Sequence, residues 1–327
     1  MEARGLLRVA GVVLVVSCLG TAAARAAGAF EKELGADPMA LKDKVKLSLM
    51  NGNGDGSDSG RGPVPYLRAL GAPPKRVALL SFYVWDCGNH KQNVYNPVYR
   101  YKRDINVEHT AIDAYANELY DASIAGLKQS FAADGMQLLT ANEYLDTDEK
   151  KAAYAAVDTN LGFIQKFTGF FEKGNEDSWK LSGAPEGYRV LRLGTTNDVK
   201  GGHFPLAATG VGVGKIAQLL GHDLATTLGV DAVVILYNVI QGEKKSITML
   251  GSYLYMFGPN PVANTGQSLY WSGHQYSGVG LKMEVPFVLV DKDGARVDAD
   301  WAGYDIVARA LAAKMGEHLE EKTAAAK

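Results

Sequence analysis

Two short, nearly unbroken apolar runs constrain this chain most: VALLSFYVW at 77–85 and VDAVVILY at 230–237. Both are rich in β-branched and aromatic residues, and both are short for a buried helix. Such a run suits a strand covered on both faces, because a strand with one wet face alternates apolar and polar residues. The first should be central in a sheet.

The segments around these runs change period. From Thr110, with Asp113 completing an S/T-x-x-D/E start, Ile112, Tyr115, Leu119 and Ala122 recur at helical steps, and Gly135 supplies a stop. Residues 136–140 read as a short strand, and 145–198 as a mixed insertion with a strand at 188–193. Ile216, Leu220, Leu224 and Leu228 form a helical face ended by Gly229. Strands are expected at 246–257 and 282–290, the second closed by Asp291-Lys292-Asp293-Gly294. A last helix is expected from Asp300 to about Lys322, with Trp301, Tyr304, Val307, Leu311, Met315 and Leu319 facing the sheet. This order, with no repeated βαβ register, predicts an α/β sandwich in which long helices pack a mixed, largely antiparallel sheet.

The amino terminus reads as an export signal. Arg4 and Arg8 precede an apolar stretch at 9–20, and Ala24-Arg25-Ala26 is an A-x-A cleavage site. The organisation expected is a signal peptide at 1–26, an extended segment at 27–74 with a Gly-rich linker at 51–65, and one α/β domain at 75–322. Val15-Val16-Ser17-Cys18 also resembles a lipobox, with Val15 where Leu is usual, so membrane association is expected only if Cys18 is lipidated. By either route Cys87 is the one cysteine left with a free side chain, and no internal disulfide can form. The full chain has 34 Lys+Arg against 36 Asp+Glu; loss of Arg4, Arg8, Arg25 and Glu2 leaves 31 against 35. That mildly acidic balance argues against a nucleic-acid partner. The location expected is the periplasm or the outer membrane.

Four stretches carry a family resemblance: Lys75-Arg76-Val77-Ala78-Leu79-Leu80-Ser81-Phe82, residues 135–145, the junction Leu228-Gly229-Val230-Asp231-Ala232-Val233-Val234, and the turn at 290–294. They resemble the CsgG-like family, which includes the curli-export lipoprotein channel and is similar in fold to the amino-terminal domain of TolB. The resemblance covers residues 75–145 and 214–322. It implies an envelope protein of assembly, secretion or scaffolding that acts through envelope protein partners or as a homo-oligomer, with a pore-forming outer-membrane lipoprotein as the alternative. It brings no catalytic residues.

Chemistry must be sought separately. Cys87 and His90, with His109 as a third ligand, have a spacing that can chelate zinc or copper, though a structural zinc takes four ligands. Asn51, Asn53, Asp55 and Gly56 begin a calcium-loop pattern, but Gly62 stands where the bidentate Glu belongs. Gly210, Gly212, Gly214 and Lys215 suggest a phosphate loop, yet Thr209 and Ile216 occupy its required Gly and Ser/Thr positions. No G-x-S-x-G is present, and the six histidines have no diagnostic spacing. No cofactor is expected, the chain reads as non-enzymatic, and a secreted hydrolase or metal-binding protein is the second alternative.

The most unusual feature is aromatic. Tyr253, Tyr255, Phe257, Tyr270, Trp271 and Tyr276 are interleaved with Gly, Ser and Asn. Such a stretch suits a partner interface, a pair of barrel strands, or a hairpin closing the sheet edge. Gly258-Pro259-Asn260-Pro261 and Ser272-Gly273-His274-Gln275 interrupt it, which favours the partner interface.

Overall fold

The computed structural model describes residues 28–48, 70, 72–86, 109–157, 182–191, 193, 216–242, 245–259, 274–292 and 295–324. The signal segment, the Gly-rich linker, Cys87, His90, the glycines and lysine at 210–215, Tyr270 and Trp271 lie outside these residues.

In chain order the described elements begin with helices α1 (Ala29–Leu34) and α2 (Pro38–Lys42) and strand β1 (Lys46–Leu47). Next come β2 (Arg76–Asp86), α3 (His109–Ala133), β3 (Gln137–Leu139), α4 (Ala141–Tyr144), α5 (Asp148–Ala156) and β4 (Ser182–Gly183). A π-helical turn (Leu219–Leu224) runs into α6 (Ala225–Leu228), followed by β5 (Ala232–Gly242), β6 (Ser246–Phe257), β7 (Gln275–Val290), β8 (Arg296–Ala299) and α7 (Tyr304–Ala324). The strands make one mixed eight-stranded sheet in the order β1-β7-β6-β5-β2-β3, with β4 on β2 and β8 on β7. β2 is parallel to β3 and β5, and the other pairs are antiparallel.

The two apolar runs form the parallel centre. Their register is set at the start of β5, where Gly229 adopts a left-handed conformation at φ 67° that a residue with a Cβ resists. The turn brings Asp231 beside Lys75 and Arg76, whose backbone N–H groups both donate to Oδ2 at 2.9 and 2.8 Å. Arg76 returns a bond to the Gly229 carbonyl, and Asp231 N–H donates to Arg76 O. Val77 thereby lies opposite Ala232 and the pair zips forward.

One face of the sheet packs on α3 and α7, burying Val77, Leu79, Val234, Leu236, Leu254, Val307 and Leu311. The other packs on α4, α5 and the 216–228 helix, burying Leu80, Val233, Ile235, Tyr144, Tyr154, Leu220 and Leu228. Both faces of β2 and β5 are thus dry, as their unbroken apolar sequences require. On the first face Asn238 Oδ1 accepts from Ser252 Oγ at 2.5 Å and from Tyr304 OH at 2.6 Å, which ties the first turn of α7 to the sheet centre.

β2 leaves a gap that side chains fill. On the edge away from β5, β3 pairs residues 76–78 and β4 pairs 84–85, so among the described residues the stretch between has no strand beside it. Leu80 is also a bulge against β5. Tyr144 OH donates to Leu79 O at 3.1 Å, and Tyr154 OH donates to Leu80 O at 2.7 Å. Ser81 Oγ donates to Arg189 O and accepts from Leu191 N, so residues 188–191 run along the gap as irregular chain. The strand expected at 188–193 is not formed by its described residues, because a serine hydroxyl replaces the ladder there.

Other departures have physical causes. The segment expected to be extended at 27–74 contributes α1, α2 and β1, and Phe30, Leu41 and Val45 enter the core. The last strand starts at Gln275 rather than 282, and β8 adds an unexpected edge strand. Thr110, expected to open α3 with Asp113 three residues on, lies inside a helix that already begins at His109, and the Asp113 carboxylate accepts from Ala184 N at 3.2 Å.

Tyr154 OH also accepts from Arg189 N at 3.0 Å, so its removal orphans two backbone groups. Tyr154→Phe should lower unfolding stability by about 1–3 kcal/mol. Leu80 O and Arg189 N would lose their partner while the ring stays packed. Urea denaturation checks this, and an unchanged midpoint would show that the gap is closed otherwise.

Candidate functional site

The residues singled out as a partner interface are inside the molecule. Tyr253, Tyr255, Phe257 and Tyr276 are each less than 8% exposed. Tyr83, Tyr237 and Tyr253 occupy matched positions on β2, β5 and β6 and stack with ring centres 5.1 and 5.0 Å apart. Tyr237 also lies parallel to Tyr255 at 6.0 Å. β7 makes room with Gly280 opposite Tyr253 and Gly278 opposite Tyr255, where a Cβ would press into the ring. Tyr255 OH is 2.8 Å from Ser48 Oγ, and Ser48 N–H donates to Gly278 O, so the row also pins the segment after β1. Tyr276 OH donates to Pro259 O at 2.9 Å. The expectation of an exposed aromatic surface is therefore corrected for these four residues: both sheet faces are covered here, so alternation exposes neither row. Of the metal candidates, His109 opens α3, and Cys87 and His90 lie outside the described residues.

The structure brings together a polar group that sequence reasoning did not assemble. Ser277 on β7 lies with its Oγ 2.9 Å from His318 Nδ1 on α7. One helical turn on, the buried ammonium of Lys322 donates to the carbonyl of Tyr276. Burial lowers His318 to about 4, with repulsion from Lys322 and Lys314 adding to it. Burial likewise lowers Lys322 to about 8. The Ser–His distance is that of an activated nucleophile, but Ser277 has no exposed surface. The group acts as a clasp between β7 and the last turns of α7. Its sequence signal was the i, i+4 spacing of His318 and Lys322 on the face shared with Leu311, Met315 and Leu319.

Among the described residues, no three His, Cys, Asp or Glu side chains are grouped to hold a metal ion. No helix among them is long and apolar enough to cross a membrane.

An exposed surface lies at the other end of the long strands. Along β7, Lys282, Glu284 and Pro286 are exposed in alternation with the buried Met283, Val285 and Phe287. Beyond them Leu289 is 52% exposed and Val297, on β8, 62% exposed. Arg296 closes one side, bonded to Glu118 at 2.7 Å and lying over Tyr115 and Trp301. These residues escaped the sequence reading because Leu289 fits the strand pattern as a core position.

Compared with protein-family models, curated proteins and solved structures, the chain matches none.

The clasp predicts a pH dependence. Both His318 and Lys322 titrate below their ordinary values of 6.5 and 10.5. The unfolded chain therefore binds more protons between the shifted and ordinary values, and stability rises with pH across each window. Thermal unfolding should move upward from pH 8 to 10, and Lys322→Met should flatten that rise. His318→Asn should flatten the loss below pH 6.5. Unaltered profiles in these variants would refute the assignment.

Proposed function

We propose that this chain is an exported envelope protein that works in assembly, secretion or scaffolding by binding other proteins. The observation that carries this reading is the end of the sheet at β7 and β8, which is exposed among the described residues. There a backbone fixed by core residues on one face presents Lys282, Glu284 and Pro286 on the other, beside the exposed Leu289 and Val297. Apolar side chains ringed by charges on a rigid support are the usual composition of a protein contact. The amino-terminal signal pattern and the resemblance to the CsgG-like family support the compartment and the mode of action.

The pore-forming alternative has less support. β7 is 16 residues long, which exceeds the roughly 9–11 a membrane strand needs. Its exposed side carries Lys282 and Glu284, however, where a lipid-facing strand is apolar.

Leu289→Asp with Val297→Asp tests the proposal, because both side chains are on the surface and their replacement leaves the core intact. The double variant should unfold within a few degrees of wild type and lose about tenfold or more in recovery of its envelope partner after cross-linking. Equal recovery by a folded double variant would overturn the assigned surface, and wild-type protein that captures no envelope component would overturn the binding role.

A further inference from the structure

Beside the exposed Val297 the molecule holds one of its own cations in an aromatic corner. Arg296 opens β8, and its guanidinium carbon lies 5.6 Å from the ring centre of Trp301 and 5.9 Å from that of Tyr115. The two rings are 5.8 Å apart at 44°, and Phe287 packs against both. Tyr115 and Phe287 are core residues, which makes the corner a rigid one.

Glu118, one helical turn after Tyr115 on α3, supplies the third side. Arg296 Nη1 donates to Glu118 Oε1 at 2.7 Å. Glu118 Oε2 is buried and accepts no hydrogen bond among the described residues. A guanidinium and a carboxylate can form two parallel bonds, so the resident cation uses half of what this carboxylate offers. An incoming guanidinium seated in fork geometry would satisfy both oxygens, including the one whose burial is now uncompensated.

Arg296 is also carried by a short edge strand. β8 has four residues, and Val297 is a bulge in it, since Asp298 pairs Leu289 while Arg296 pairs Val290. A bulge disrupts the ladder locally and re-aims a side chain. The Arg296 and Glu118 side chains are 38% and 34% exposed, so the corner is reached from solvent. Asp298 attracts Arg296 as Glu118 does, so two carboxylates share one cation there.

We propose that Tyr115, Trp301 and Glu118 form a guanidinium site in which Arg296 is the resident occupant and an arginine side chain of the protein partner the incoming one; this rests on the binding role proposed above, with Val297 as the apolar contact beside it. A lysine fits less well, because an ammonium has neither the fork nor the flat face.

The test is titration of the mature chain with N-acetylarginine amide, read at the indole N–H resonance of Trp301, which its loss in Trp301→Phe identifies. In Arg296→Ala the shift should saturate, and wild type should need about tenfold or more ligand, because the resident side chain occupies the site. Adding Glu118→Gln to Arg296→Ala should weaken binding about tenfold or more. N-acetyllysine amide should bind more weakly, and N-acetylcitrulline amide, similar in shape but uncharged, should leave the resonance in place. Arg296→Gln takes the place of Arg296→Ala should the latter not fold. No saturable shift in the folded variant, or equal binding by the citrulline form or after Glu118→Gln, would overturn the proposal. The titration involves no partner, so its failure leaves the contact at Leu289 and Val297 standing, and failure of that contact leaves the titration decisive for the site.

Discussion

The fold hangs on the way the backbone of β2 is satisfied. On one side β2 pairs with β5 from Val77 to Asp86, and on the other, among the described residues, only its two ends meet a strand. An open stretch at the centre of a dry sheet would leave carbonyls unpaired at about 1–3 kcal/mol each. Tyr144, Tyr154 and Ser81 close it, and each is anchored in chain distant in sequence. The second helical layer is therefore attached by directed bonds as well as by apolar area. Glu143 reinforces that attachment. Although burial pushes its carboxyl up, bonds from Lys128 and Thr140 outweigh it and hold the group at about 2. The turn that carries Tyr144 is capped by that same carboxylate.

The antiparallel wing extends from this centre and is organised by the tyrosine row. Three rings in register across β2, β5 and β6 make a stiff rib, and the glycines of β7 accept its end. Flat aromatic packing of this kind fixes register, because a one-residue slip would turn every ring to the opposite face. Tyr255, packed parallel to the Tyr237 ring of that rib, reaches Ser48, so β1 is held along an edge that β7 would otherwise present to solvent.

How much of this the sequence carried depends on which force decides each element. Strand β6 has the boundaries its pattern predicted, and β2, β5, α3 and α7 differ from expectation by a few residues, because hydrophobic period alone specifies them. Residues 188–191 and the helices α1 and α2 were misread because their conformations answer to partners far away: Ser81 for the first, and for α1 the carboxylate of Asp300, which accepts from Ala29 N at 2.8 Å. The role of the tyrosines was misread for a related reason. Tyr253 and Tyr255 alternate with small polar residues as an exposed strand would, and nothing local records that Ser252 is itself buried against Asn238 and Tyr304. Leu289 failed in the other direction, since an apolar residue at a regular strand position carries no sign that its face is bare.

The two ends of the long strands stand apart on one rigid support. β6 has 12 residues, which at about 3.3 Å each sets its ends about 36 Å apart. Ser246 lies at the end beside Leu289, and Phe257 lies at the end beside Gln275. Coupling between them would need an element with two arrangements. The strands joining them are packed on a dry core at Met249, Leu254 and Met256, where interiors resist partial displacement. A partner that engages both would have to span the sheet.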